Sequence, residues 1–274
     1  MSLFIASIAS GSNGNCYYVG NGTDAVLIDA GISCRETEKR MAKLGLSPKN
    51  VKGIFISHEH SDHIRGVTNL SKKHQIPVYV TPDTRKYCRM LLYPHLANTF
   101  STNEPIQLGG LTITAFLKYH DAIHPHSFIV EGNGVTIGIF TDIGACCDRL
   151  ATHFSKCHAA FLESNYDAAM LETGRYPVHL KNRIRGGHGH LSNAEALDVF
   201  KQHKPPHMSH LLLSHLSKEN NRPDIVAELF NAHADGVNIT VASRYEQSEL
   251  IEVTNGGVSP KEKKLEKLEQ AVLF

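Results

Sequence analysis

The chain has 274 residues, 41% of them hydrophobic and 20% charged, which excludes a disordered polymer and leaves ample length for a buried core. A formal net charge of +1 excludes a global pull toward nucleic acid or membrane, so any polyanion must be met by a local patch. No apolar run is long enough to span a bilayer, and the apolar start MSLFIASIAS has no basic residue before Arg35, which argues against a signal peptide.

In chain order, residues 3–9 read as a first strand and residues 10–15 (SGSNGN) as a turn of residues that accept positive φ. Strands are expected at 16–19 and 25–28, the second running into Asp29-Ala30-Gly31. Ser33 and Glu36 have the spacing of a capping box and open a helix that ends near Gly45. Residues 51–57 (VKGIFIS) read as a buried strand, followed by the hexapeptide 58–63 and a helix to about Lys73. A strand at 78–80 and a helix opened by Thr81 and Pro82 come next. Residues 111–119 alternate as a half-exposed strand, and 127–131 with 135–140 form a hairpin across Gly132-Asn133-Gly134. Then come a strand at 159–162, a helix capped by Ser192 and Glu195, a strand at 211–213, a helix at 218–232 and two closing strands near Val253.

Strands and helices alternate over the whole length, the pattern of a layered α/β protein, with no internal repeat in the letters and no linker before residue 255. One domain over 1–255 is expected, followed by a helical tail over 256–274. In that tail Ser259-Pro260-Lys261-Glu262 opens a helix with Leu265, Leu268 and Val272 on one face, docked on its own domain or on a partner. Six cysteines (Cys16, Cys34, Cys88, Cys146, Cys147 and Cys157) form no C-x-x-C pair and read as reduced cytosolic thiols, mostly small buried residues.

The chemistry concentrates in the hexapeptide His58-Glu59-His60-Ser61-Asp62-His63. Three imidazoles and carboxylates this close are unfavourable to bury unless a cation holds them. Leaving a strand, His58 and His60 project to the same side, while Asp62 and His63, at the start of a helix, reach a second point nearby. Imidazole with carboxylate suits Zn²⁺, Mn²⁺ or Fe²⁺, and two adjacent ions suit hydrolysis.

H-x-H-x-D-H after an apolar strand resembles the signature of the metallo-β-lactamase fold hydrolases. That resemblance implies a four-layer αββα sandwich with mixed sheets and with metals at one edge between them. It implies a ligand set: His58, His60 and His120 on one ion, Asp62, His63 and His215 on the other, and Asp142 bridging. His120 stands in KYHDAIHPHSF with His124 and His126 as neighbouring alternatives, Asp142 in FTDIG and His215 in LLLSHLSK. Asp29, in LIDAG, matches the aspartate that orients the ligand loop. An aspartate at 142, where zinc β-lactamases have cysteine, implies a dinuclear centre. A histidine at 60, where flavodiiron reductases have glutamate, argues against redox chemistry.

The phrases SGSNGNC, HEHSDH, ESNYD, GRYPVHLKNRIRGGHGHLSN and HLSKENN are similar to the YycJ/WalJ-like branch, related to RNase Z and PhnP phosphodiesterases. The similarity implies a cytoplasmic nuclease acting on nucleic acid, with exonucleolytic cleavage of DNA by a hydroxide shared between two metals. His190 matches the non-ligand histidine that assists catalysis, beside Asp62 and Asp142 as catalytic carboxylates. Lys181, Arg183 and Arg185 form the dense basic run nearest to it, either contacting substrate phosphates or making a solvated helix face. Two other readings use the same features: a hydrolase of small esters, thioesters or lactams, and a regulatory protein that keeps metal for stability.

Overall fold

Alternating apolar residues pair the expected strands, with two short ones at Ala97–Asn98 and Ile106–Leu108 that were not expected, into two sheets of seven among the described residues, 2–88 and 90–256 of this computed structural model. The tail helix expected beyond Ser259 lies outside the described residues. The first sheet is built from β1 (Ser2–Ala9), β2 (Cys16–Gly20), β3 (Ala25–Ile28), β4 (Val51–Phe55), β5 (Val78–Tyr79) and β6 (Ala97–Asn98). The second holds β7 (Ile106–Leu108), β8 (Leu111–Leu117), β9 (His126–Gly132), β10 (Val135–Phe140), β11 (Ala159–Glu163), β12 (His210–Ser214) and β13 (Asn238–Val241). A last strand, β14 (Ile251–Thr254), returns to pair antiparallel with β1.

Each sheet repeats one plan. In the first, β1, β2 and β3 form an antiparallel meander and β4, β5 and β6 then add in parallel. In the second, β7 to β10 form the meander and β11, β12 and β13 add in parallel. The β9–β10 hairpin turns on Asn133 and Gly134, both at positive φ (54° and 75°), as a two-residue turn between twisted strands requires.

Three apolar layers make the αββα sandwich. Leu3, Tyr17, Phe55, Phe128, Phe161 and Leu212 fill the space between the sheets. Met41, Val67 and Leu70, from helices Cys34–Lys43 and Val67–His74, cover the outer face of the first sheet. Leu150, Phe154, Phe200 and Phe230, from helices Asp148–Phe154, Asn193–His203 and Pro223–Asn231, cover that of the second.

Two helices depart from expectation. The one after the hexapeptide breaks between Ile64 and Val67, because Gly66 N–H donates to Ala30 C=O (2.8 Å) and a Cβ there would meet Ile32 O at 1.9 Å. The helix expected from 218 starts only at Pro223. Residues before it are held as a loop by Asn221, whose Nδ2 donates to Ser164 O and Asn165 O (2.9 and 3.0 Å). Cys146, expected to be buried, is exposed.

Candidate metal centre

The parallel strands of both sheets end at one edge, and their ends carry the polar side chains. Asp29 follows β3, the hexapeptide follows β4, Asp142 follows β10 and His215 follows β12. Asp29, Asp142 and His215 sit at positive φ (62°, 55° and 56°), a region uncommon for residues other than glycine and one that Asp, Asn and His enter most readily. His58, His63, His120, Asp142 and His215 are buried, whereas Asp62 and His60 are partly open.

Every histidine but His60 is anchored through one ring nitrogen, which leaves the other for the centre. His58 Nδ1 lies 2.8 Å from Ser57 Oγ, and its Nε2 lies 3.0 Å from His60 Nδ1. His63 Nδ1 donates to Asp29 (2.7 Å), His120 Nδ1 to Gly189 C=O (3.1 Å) and His215 Nδ1 to Glu163 (2.9 Å). The free nitrogens then converge. His63 Nε2 lies 3.4 Å from Asp62 and from Asp142, and His215 Nε2 lies 3.5 Å from each. Three atoms aimed at this space, His120 Nε2, Asp142 Oδ2 and His215 Nε2, are buried with no hydrogen-bond partner. Buried polar atoms are seldom left so, and the set falls into compact groups: His58, His60 and His120; His58, His63 and Asp142; Asp62, His63 and His215; and Asp142, Glu163, His190 and His215. The residues present therefore fit a divalent metal site.

The electrostatics agree. Burial alone would push the His63 and His215 imidazoles down, but the surrounding carboxylates raise His63 well above the histidine range and His215 to about 10. A proton there stands in for the positive charge that a metal would bring. For His120 burial outweighs Asp142 and Asp121 and lowers it to about 3. Asp142 is held well below the carboxylate range: burial opposes this, and His215 and His63 outweigh it.

Asp29 is fully engaged away from the centre, accepting from Ser57 N–H (2.8 Å), Ser57 Oγ (2.7 Å) and His63. His190 stands beside the cluster, its ring centroid 5.3 Å from that of His120 and 5.2 Å from that of His215. His124 and His126 lie elsewhere: His126 Nε2 pairs with Thr102 Oγ1 (2.8 Å), and His124 faces Asp83. Arg183, on helix Val178–Arg185, pairs with Asp121 and lines a cavity of about 190 Å³ with His190, His215 and Tyr176. Lys181 and Arg185 turn instead to Glu172.

Sequence reasoning gave no role to Glu163, the last residue of β11. Its Oε1 accepts from His190 (2.8 Å) and His215, and its Oε2 from Ile143 and Leu191 N–H (2.8 and 3.1 Å). Four donors use both oxygens, so Glu163 orients histidines rather than ligating metal. It stays ionised, held at about 2 because His190 and His215 outweigh its burial. Two further residues went unread. Asn15 Nδ2 donates to Asp62 (3.1 Å), and buried Lys118 donates to Thr141 C=O (2.6 Å) beneath Asp142.

Residues 24–215 match the family model described as the β-lactamase superfamily domain. The chain belongs to the metallo-β-lactamase superfamily. It is a hydrolase of that fold. Among curated proteins it is similar to exodeoxyribonuclease YycJ of Bacillus anthracis, 33% identical over 228 residues, covering 82% of this chain and 86% of that one. Exodeoxyribonuclease WalJ of Streptococcus pneumoniae is 31% identical over 219 residues, covering 78% and 81%. Of solved structures, the metallo-β-lactamase fold protein YhfI from Bacillus subtilis superposes with a TM-score of 0.71 at 17% identity, covering 92% of this chain and 99% of that one. The short form of human tRNase Z superposes with a TM-score of 0.62 at 16% identity, covering 90% and 98%.

Proposed function

We propose that this metallo-β-lactamase hydrolase is a dinuclear phosphodiesterase of nuclease type, an exonuclease acting on DNA. The observation that carries this reading is the convergence of three unpartnered buried atoms, from the strand ends of the second sheet, on the His58, Asp62 and His63 side chains that follow β4 of the first. Four carboxylates (Asp29, Asp62, Asp142 and Glu163) gather around six imidazoles (His58, His60, His63, His120, His190 and His215), with the Lys118 ammonium buried beside them, a charge balance that suits dications. His58, His60 and His120 would hold one ion and Asp62, His63 and His215 the other, with Asp142 available to both; Zn²⁺, Mn²⁺ and Fe²⁺ would all suit these donors. The names of the two curated relatives support DNA as the substrate and exonucleolytic cleavage. The six free thiols suit a reducing cytoplasm, and among the described residues no helix is long and apolar enough to cross a membrane.

Divalent ions supply Lewis acidity here, activating water and neutralising charge on the phosphoryl oxygens. Asp62 and Asp142 accept from the attacking water and set its line of approach. His190 has Nδ1 committed to Glu163, so its remaining nitrogen serves the cavity, donating to a phosphoryl oxygen or to the departing oxygen. Arg183, at the cavity rim, meets an adjacent phosphate.

The test is a digest of end-labelled single- and double-stranded DNA and RNA by metal-loaded protein, with metal content measured in parallel. Progressive shortening of DNA with about two metals per chain is expected. Hydrolysis of an acyl ester without any phosphodiester cleavage would refute the reading.

A further inference from the structure

A second cavity, about 460 Å³, opens beside the metal centre and shares Ser217 with the first. One wall is the stretch that follows His215, through Leu216, Ser217 and Lys218. Another includes Ser10, whose Oγ accepts from His215 N–H (2.7 Å). Its lining includes three cations, Lys218, Arg222 and Arg244, and no carboxylate.

Arg244 is the unusual member. It is half-buried, and burial lowers its pKa from the guanidinium value. Yet among the described residues no carboxylate lies within ion-pair distance of it. Its guanidinium donates instead to Leu216 C=O and to Asn13 Oδ1 (3.3 Å). Gly11, at φ +139°, closes over it; a Cβ there would come within 3.2 Å of the guanidinium. The same loop brings Asn15 to Asp62, so it spans from Arg244 to the metal centre. Lys218 and Arg222 are exposed on the rim, and their partners Glu219 and Asp224 are exposed carboxylates that a phosphate displaces at little cost.

Next to this cation stands Tyr245. Its backbone is pinned: the carbonyl accepts from Arg40 (2.8 Å) and the N–H donates to Ser243 Oγ (3.1 Å). The residue is nevertheless 73% exposed. An exposed aromatic on an anchored backbone, beside an arginine with no carboxylate partner among the described residues, is the pairing that holds a single strand, the ring stacking a base and the cations tracking the backbone.

We infer that the cleft of Arg244, Tyr245, Lys218 and Arg222 binds a single-stranded segment of the nucleic-acid substrate next to the nucleotide held at the metal centre. The inference rests on the nuclease reading and adds to it a strand path and a preference for unpaired bases. Double-stranded ends, with no base free to stack, gain nothing from Tyr245.

The test uses metal-loaded full-length protein and compares a single-stranded 12-mer, a blunt duplex of the same sequence and bis(4-nitrophenyl) phosphate over a range of salt. Arg244→Ala is expected to raise KM for the 12-mer about tenfold and to flatten the salt dependence by about 0.7. Tyr245→Ala, at an exposed ring whose loss does not threaten folding, is expected to raise KM for the 12-mer about tenfold and to leave the duplex unaffected. Arg244→Lys should restore most of the salt slope. Unchanged KM and salt slope in both alanine variants, with the wild type degrading the 12-mer, would overturn the cleft and leave the nuclease reading standing. A wild type that cleaves only bis(4-nitrophenyl) phosphate would overturn both.

Discussion

The two sheets carry the same short phrase at the same place and use it differently. Asp29-Ala30-Gly31 follows β3 and Asp142-Ile143-Gly144 follows β10, each strand the last of its antiparallel meander. Both aspartates adopt positive φ, and both glycines face backbone: a Cβ on Gly31 would meet Asp62 O at 1.6 Å, one on Gly144 Gly187 O at 2.4 Å. The partners differ. Asp29 meets Ser57 and His63 Nδ1, which consume it, whereas Asp142 Oδ2 is buried with no partner. An identical strand end thus yields an orienting residue in one sheet and a candidate ligand in the other. In the second sheet the orienting task falls to Glu163, at the end of the neighbouring strand β11.

The comparison breaks most visibly at Asp142. Asp142→Ala should take phosphodiester hydrolysis to background and reduce bound metal, read by elemental analysis. Full turnover with two ions bound would mean that Asp142 is no more a ligand than Asp29. Next in size is His190, the imidazole Glu163 holds without a place in the ligand set. His190→Ala should keep metal and fold and lower kcat by about 10²–10⁴-fold. The defect should shrink on a nitrophenyl leaving group, which departs without a proton; loss of metal would show that His190 is itself a ligand.

The two orienting carboxylates can then be compared directly. Asp29→Asn and Glu163→Gln should each weaken metal binding by about 10–100-fold, because each removes the charge behind a ligand imidazole. Only Glu163→Gln should also lower kcat in metal-saturated enzyme, since only Glu163 holds His190. Equal kcat in both saturated variants would make the two carboxylates interchangeable.

The smallest effect lies away from the centre, at His126, which is buried in β9 against Thr102 and pushed by burial to about 4. Below the unfolded value of 6.5 the unfolded chain takes a proton that the folded chain refuses. Stability contributed by neutral His126 is therefore complete above pH 6.5, falls as pH drops and is lost by about pH 4, a change of at most about 3 kcal/mol. His126→Gln should flatten the melting temperature over that window. A slope equal to the wild type's would assign the acid sensitivity to other groups.

The hexapeptide was legible because its chemistry is local: six consecutive residues after an apolar strand bring the donors together whatever the rest of the chain does. The β9–β10 hairpin was legible for the same reason, its turn resting on Asn133 and Gly134 alone. Glu163 was not. It ends an apolar strand, and its four donors come from 20, 27, 28 and 52 residues away. The shared D-x-G of the two strand ends is visible in the letters, but only the paired meanders show that it marks a repeated plan.

Local sequence by itself determined most of the strands, a layered α/β class and the residue types able to bind a divalent cation, because periodicity and donor chemistry need only near neighbours; the αββα arrangement came from the family resemblance, and short elements such as Ala97–Asn98 and Val178–Arg185 were not read. Tertiary structure decided which aspartate is consumed and which stands open, which of three nearby histidines turns inward, and that Arg183 alone of its basic run reaches the cavity. It also placed Arg244 and Tyr245, near the end of the chain, beside a loop that begins at Ser10. The reason is physical: a side chain's role is set by the partners left to it after burial, and those partners arrive from other strands.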